Sequence, residues 1–479
     1  MEYVNIKTSA LDKNVPTKET NDALLELKGN TDSIILHNVS VTSDLWTAVS
    51  GMGDFGFVAS IPVSGCTANY VPNVVLDLAS AISGNFAPVS ESGTDVVKIY
   101  AKEKPTADIT IPTIICLLEK KDSKLYTITI DQNNSDPLTC CAYQNDAVGM
   151  TKGSDAWDEI FGIKPCVLKN GAVYKYVNPN DFTKYVDGSS VSSSDGDVMI
   201  EFPRFGMNLE NDGNGVITVS MSTDTNAFGN DGLDTRVFGS KNKFYLGAYL
   251  ASNAQNGLLS VSGVAPETNI NLTNAIAYAQ KKGSGYDIMG FYQWTYVQCL
   301  YLLKYGNLNS QVALGKGYVS GSAKQNTGAT NTQGMCYGDP TSGTDRVKLF
   351  GLEDAWGNLK QWLGGLYCDN SYNLLTKTSN FTTGTAASNY DYSTPSGLSS
   401  SVYSYMKQLQ GTNGGGFVGK QSGGSSITYW SDSGDVNAGY FAFVGGHWSL
   451  GDLAGLFFCD VVYDASDAGG ILGCRLQYL

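Results

Sequence analysis

The sequence predicts an α+β protein in which β-rich N-terminal modules precede one large mixed domain. Short apolar runs bounded by Gly, Asn, Asp and Ser recur between residues 57 and 130, as strands joined by turns do. Two apolar-periodic stretches of helical length stand together between residues 271 and 305. After Gln311 the chain turns to Gly, Ser, Thr and Asn, with short strand-like runs between them. Composition agrees: 55 Gly and 28 Tyr are high, and charged residues are 16% against about 25% in an average domain.

Four segments follow in order. Residues 1–55 form an N-terminal attachment or oligomerisation segment, with an amphipathic helix over Thr20–Lys28 and a short apolar strand over Ser33–Leu36. Trp46 either anchors this piece against a neighbour or second copy, or belongs to a small cap on the next module. Residues 56–120 read as a small β-sandwich spacer, with strands at Phe57–Pro62, Val74–Leu78, Val96–Ala101 and Ile109–Ile115. Residues 121–155 are a connecting β segment containing the alternating strand Leu125–Ile130, and the main boundary is set near Trp157.

Residues 156–479 read as one α+β domain. Pro165–Val173 is a hairpin around the Asn170-Gly171 turn. Strands Asp197–Phe205 and Gly215–Met221 flank the turn Glu210–Asn214. A helix over Asn271–Lys282 carries Ala275 and Ala279 on one face, with Asn271 as its cap. A second helix, Asp287–Tyr305, carries Phe291, Trp294, Tyr296, Val297, Leu300, Leu302 and Leu303. So little polar surface predicts burial on several sides, and Gly306 ends it. Residues 318–346 and 378–437 read as mostly irregular.

The net charge of −14 argues against nucleic acid, which needs a basic footprint. No apolar run reaches the ~20 residues of a membrane span, so no membrane insertion is expected. The start, Met1–Asn5, lacks a signal-peptide pattern, which predicts synthesis in a cytoplasm. Ten cysteines contain no CxxC pair and the only histidines are His37 and His447, which argues against zinc. The cysteines read as small buried apolar residues. A Cys459–Cys474 bridge is the alternative for that pair.

The C-terminal tract, Gly445–Trp448 through Gly473–Arg475, looks like a rigid frame carrying an interchangeable surface. Gly446, Trp448, Ala454, Gly455, Phe457, Gly473 and Arg475 form the frame, and small, polar or aliphatic residues lie between them. Tyr, Ser, Gly, Asn and Asp on rigid loops are paratope chemistry: rings supply area at low entropy cost and small polar groups adapt. Trp430, Trp448, Phe458 and Tyr463 are anchor candidates, although Trp448 as a frame residue is expected in the core. The candidate ligand-binding set is His447, Ser449, Leu450, Asp452, Leu453, Phe458, Asp460, Val462, Tyr463 and Asp467. No catalytic residue is assigned. Glycan hydrolysis wants paired carboxylates about 5–10 Å apart. Asp432, Asp435, Asp460, Asp464 and Asp467 supply carboxylates that sequence alone does not pair, and a Ser-His-Asp arrangement would have to use His447.

Residues 56–120 are similar to a β module of bacteriophage tail fibres, through Ile61–Gly65 and Ile99–Thr106. From about Ala142 onward five tracts line up in order: Lys164–Gly171, Asp197–Phe205, Asn309–Gln311, Phe350–Trp362, and Gly446–Trp448 with Gly473–Arg475. Together they resemble phage tail and receptor-binding proteins whose C-terminal domain has a C-type-lectin-like fold of the formylglycine-generating-enzyme type. The resemblance implies that fold for residues 156–479 and a non-enzymatic, adhesive role. It implies a homotrimer in a virion assembled in the host cytoplasm. Its partners would be a bacterial surface glycan or protein, and other tail proteins through the N-terminal segment.

No cofactor is expected, but some relatives of this fold bind calcium, and Asp354 and Asn358 are the candidate oxygen ligands. The structural reading of that tract is that Trp356 and Trp362 fill the core while Gly357 turns the chain. The copper-binding cysteine pair of the formylglycine-generating enzyme has no match in Cys459 and Cys474. In such proteins the C-terminal tract can be the variable repeat of a diversity-generating retroelement, which rewrites Asn codons as NNY. Those codons cannot encode Lys, Glu, Gln, Met or Trp, and none of the five occurs from Ser449 to Cys474. The template positions would be Ser449, Leu450, Leu453, Asp460, Val462, Tyr463, Asp467, Gly469 and Ile471. A fixed receptor surface of suitable composition is the alternative. The competing roles are a structural fibre or baseplate component and a glycan-hydrolysing tail spike.

Overall fold

Alternation of buried and exposed side chains builds the first unit: Ala59 and Ile61 are buried while Ser60 and Pro62 face out. The computed structural model describes residues 33–118, 123–252 and 257–479. The chain divides into two compact units, Met1–Asp122 and Ser123–Leu479. The expected helix at Thr20–Lys28 lies outside the described residues.

In the first unit, Ile109–Leu118 is flanked by Ser33–Val41 and Tyr70–Val75 in an antiparallel sheet. A second sheet runs Trp46–Ala48, Phe57–Pro62, Val96–Ala101, Phe86–Gly93. Val41, Ile111, Ile114 and Cys116 of the first sheet meet Trp46, Ala59, Ile61, Val97 and Ile99 of the second in one core. This is a sandwich in which apolar faces cover one another. Trp46 is 2% exposed, with its ring 5.8 Å from that of Phe86. The boundary set at residue 55 is therefore corrected: Ser33–Val41 and Trp46 are parts of the sandwich, because each fills its sheet or its core.

The second unit is β-rich. A seven-stranded sheet runs Asp181–Tyr185, Ala172–Asn178, Lys164–Lys169, Asp197–Pro203, Lys243–Leu250, Arg475–Tyr478, Tyr286–Ile288. A four-stranded sheet runs Gly206–Asn211, Val216–Ser222, Leu125–Asp131, Cys141–Asn145. Residues 121–155 are thus not a connector, since Leu125–Asp131 pairs along its length with Val216–Ser222. Trp157 is fully buried on the helix Ala156–Phe161, its ring 5.6 Å from both Tyr126 and Tyr143. It locks the segment into the second unit instead of marking a boundary.

The Asn170-Gly171 hairpin forms as expected, with both residues at positive φ (52° and 76°). The strand expected over Asp197–Phe205 ends at Pro203, and a separate strand, Gly206–Asn211, pairs with Val216–Ser222 across the turn. Asn271 caps Leu272–Gln280 by accepting the Asn274 N–H. The apolar helix runs Phe291–Tyr305 and every one of its residues is buried. Its expected first turn is instead the strand Tyr286–Ile288, and Gly306 at φ 50° closes it by donating its N–H to Leu302.

A third sheet carries the C-terminal tract. Its order is Tyr392–Pro395, Asn373–Thr376, Lys360–Cys368, Tyr440–Val444, Cys459–Tyr463, Ser433–Val436, Val402–Leu409, Gly419–Ser422. Four of these strands lie within the stretch 378–437 that composition marked as irregular. Ser and Gly weaken local strand propensity, and pairing with distant strands overrides it.

Candidate functional site

The C-terminal tract is held by close approaches that only small residues allow. Tyr440–Val444 and Cys459–Tyr463 pair antiparallel, and Gly445 and Gly446, at φ 84° and 76°, turn the chain out between them. A Cβ on Gly446 would lie 2.6 Å from Ala454 Cβ. Phe457 donates its N–H to Asp432 at 2.7 Å, and its ring packs on Trp430 and Phe417 at 4.8 and 5.4 Å. Arg475, fully buried, donates to Gln361 Oε1 and to the carbonyls of Gly247, Glu353 and Asp354 at 2.7–3.1 Å. It ties the end of the chain to both the seven-stranded sheet and the Trp356 turn.

On this frame Ser449 and Asp452 are exposed, and His447, Leu450, Leu453, Val462, Tyr463 and Asp467 are partly exposed. Of the nine proposed template positions, all but Asp460 are exposed or partly so. Two members of the ligand-binding set are corrected. Phe458 is 2% exposed, under Lys360 Nζ at 5.0 Å from its ring. Asp460 is 8% exposed and accepts from Lys360 Nζ at 2.5 Å. Alternation along Cys459–Tyr463 does not protect Asp460, because strands flank it on both sides. The two other tryptophans exchange roles. Trp430 is core, donating to Gln132 at 2.9 Å. Trp448 is partly exposed, and its backbone carries the frame role, donating to Asn358 and accepting from Gly321.

Lys360, which sequence reasoning did not single out, organises the charges. Its Nζ lies 5.3 Å from the Tyr463 ring and pairs with Asp460. Asp435 stands beside Asp460 on the neighbouring parallel strand. Burial pushes the Asp435 carboxyl up to about 6, the Asp460 charge adds to this, and Lys360 opposes it. Burial and then Lys360 push the His447 imidazole down to about 4. The signal available in sequence was a lysine lodged between the large apolar residues Leu359 and Trp362. Ser449 Oγ lies 3.4 Å from His447 Nδ1, longer than an aligned nucleophile–base contact, and no carboxylate hydrogen-bonds His447 among the described residues.

At Asp354 and Asn358, the residues of the calcium alternative, the side-chain oxygens are engaged by protein donors. The Asp354 carboxylate is taken by the Arg346 guanidinium and by Asn358 Nδ2 at 2.8 Å. Asn358 Oδ1 accepts from Gln325 N–H at 2.8 Å. A guanidinium thus occupies the place of the cation, while Trp356 and Trp362 are wholly buried as the structural reading requires. Cys459 and Cys474 are buried free thiols.

No family model matches the chain, and no curated protein matches it significantly. Among solved structures it is similar to Treponema denticola variable protein 1 at 11% identity and a TM-score of 0.25, covering 60% of this chain and 98% of that one. It is also similar to the Major Tropism Determinant M1 variant at 12% identity and a TM-score of 0.27, covering 92% of this chain and 85% of that one. The U1 variant scores 0.25 at 12% identity, over 86% of each chain. Likeness this slight decides neither fold nor role, which rest on the residues.

Proposed function

We propose that this chain is a phage tail receptor-binding protein whose C-terminal unit, of C-type-lectin-like architecture, recognises a bacterial surface ligand. The observation that carries the reading is the separation of roles in the tract 445–475. Gly446, Ala454, Gly455, Phe457, Gly473 and Arg475 are buried, while Ser449, Leu450, Asp452, Leu453, Val462, Tyr463 and Asp467 reach solvent from the same backbone. A fixed frame with adaptable contacts suits binding more than chemistry. The sandwich spaces this surface, the N-terminal segment attaches it to other virion proteins, and the active form is a homotrimer whose copies add avidity.

Adsorption of the assembled particle to host cells tests the reading. Replacing Ser449, Leu450, Asp452, Leu453 and Tyr463 together should abolish adsorption without changing the melting temperature; unchanged adsorption sinks it. The same surface is proposed to be diversified, since the positions open to NNY codons are almost all solvent-facing. Third-position pyrimidines at those codons and a nearby adenine-bearing template copy are the expected finding.

One observation favours a second reading, hydrolysis of a surface glycan. Asp435 and Asp460 are neighbouring carboxylates, and Asp435 is raised to about 6, the behaviour of a general acid. Release of reducing sugar from host envelopes, lost in Asp435→Asn, would establish it over simple adhesion.

A further inference from the structure

A small polar cavity lies beside the Gly451–Leu453 turn of the C-terminal tract. Its volume is about 160 Å³, and ~150 Å³ already accommodates a benzene-sized group. Its inner wall is Gln311, Ser431 and Asp432, which are 7%, 2% and 2% exposed. Its outer wall includes Val312 and Ile427, which are 61% and 75% exposed. Lys316 and Asp452 pair at 3.4 Å beside the opening.

The inner wall is rich in unused hydrogen-bonding capacity. Ser431 Oγ is buried with no partner. Asp432 accepts the Phe457 N–H on Oδ2, and among the described residues no hydrogen bond reaches its Oδ1. Gln311 donates both its contacts, to the carbonyls of Gly451 and Ala454, so its own Oε1 remains an acceptor. Buried polar groups are ordinarily satisfied, and the unpartnered Ser431 hydroxyl beside the Asp432 and Gln311 oxygens calls for a polar partner. Ser431 is held there at φ 59°, uncommon for a residue with a side chain.

We infer that this cavity is a subsite for a lysine side chain of the partner protein. An ammonium presents three donors, matching Asp432 Oδ1, Gln311 Oε1 and Ser431 Oγ. The Asp432 carboxylate supplies the opposite charge, and the Lys316–Asp452 pair at the mouth is neutral in sum. The exposed Val312 and Ile427 side chains suit the apolar stem, which a bound lysine lays along apolar surface while its head group finds polar partners. Burial also raises the Asp432 carboxyl well above the usual range, with Tyr301, Tyr405, Asp452 and Lys316 as the charged or titratable groups around it. An incoming ammonium would restore its ionised form. This inference rests on the receptor-binding reading for its biological role, and it favours a protein receptor over a glycan.

The test is binding of Nα-acetyl-lysine methylamide to the full chain by ligand-observed NMR. Saturable binding is expected, weakened about tenfold or more by Nε-acetylation of the probe, by the norleucine analogue, and by Asp432→Asn or Ser431→Ala. Asp187→Asn, at an exposed carboxylate just after the strand Asp181–Tyr185, should leave it unchanged. Equal binding of the lysine and norleucine probes, or no saturable binding, overturns the inference, and these probe comparisons need no variant to fold. Tighter binding of glucosamine than of the lysine probe also overturns it, assigning the cavity to an amino sugar. Failure here with adsorption still dependent on Ser449 and Tyr463 would leave the receptor-binding reading standing.

Discussion

Arg475 is wholly buried, and its hydrogen-bond partners are all neutral oxygens. Burial pushes its guanidinium down to about 10, against the pull of the Asp354 and Glu353 charges. Only the planar fork of Arg reaches these four acceptors, two of them on the adjacent residues Glu353 and Asp354. Arg475→Lys should therefore cost about 3 kcal/mol or more in denaturant unfolding, whereas a loss under about 1 kcal/mol would mean the network is not cooperative. The charge cluster makes two pH predictions. With a folded value near 4 against 6.5, His447 binds its proton later than the unfolded chain does. Its contribution to stability is thus present at neutral pH and lost as pH falls from 6.5 to 4. In His37→Gln protein, NMR titration should place the remaining imidazole near pH 4; a midpoint near 6.5 would contradict its burial beside Lys360. Asp435 has the opposite sign. Its folded value near 6 exceeds the ordinary 3.8, so it retains a proton that the unfolded chain releases. Stability falls as pH rises through 3.8 to 6, and Asp435→Asn should raise the melting temperature more at pH 8 than at pH 4.

At the scale of elements, the Phe291–Tyr305 helix is the centre of the second unit. Leu302→Ala should cost about 2–5 kcal/mol, because a side chain enclosed on all sides leaves a cavity that cannot fully collapse. Gly306→Ala should cost about 1 kcal/mol, since φ 50° disfavours a Cβ and Lys152 crowds the position. Chemical denaturation measures both, and equal small losses would argue that the helix is peripheral. This helix was legible in sequence because no polar face interrupts its apolar residues. The Ser433–Val436 strand was not, for its Ser, Gly and Asp carry no strand propensity. It exists because Cys459–Tyr463 pairs with it in parallel. The candidate surface divides in the same way. The glycines and Phe457 of the frame announced themselves by type and spacing, whereas Phe458 and Asp460 were lost to burial by strands on either side and by Lys360.

The two units of the whole molecule have separate cores, one between the sheets of residues 33–118 and another around the apolar helix. Residues 123–479 should therefore fold alone, with the near-ultraviolet circular dichroism of buried tryptophans and a cooperative melt; an aggregated or molten fragment would refute this independence. The sequence by itself determined the strand periods, the Asn170-Gly171 turn, the buried helix and the glycine-and-aromatic frame of the C-terminal tract. Each of those is a local consequence of backbone freedom or of apolar spacing. Only the tertiary structure decided that residues 125–145 join the second unit, that Arg346 holds Asp354, that Lys360 meets Asp460, and that Gln311, Ser431 and Asp432 wall one cavity. These depend on contacts between residues far apart in the chain, where pairing and burial override what each segment prefers alone.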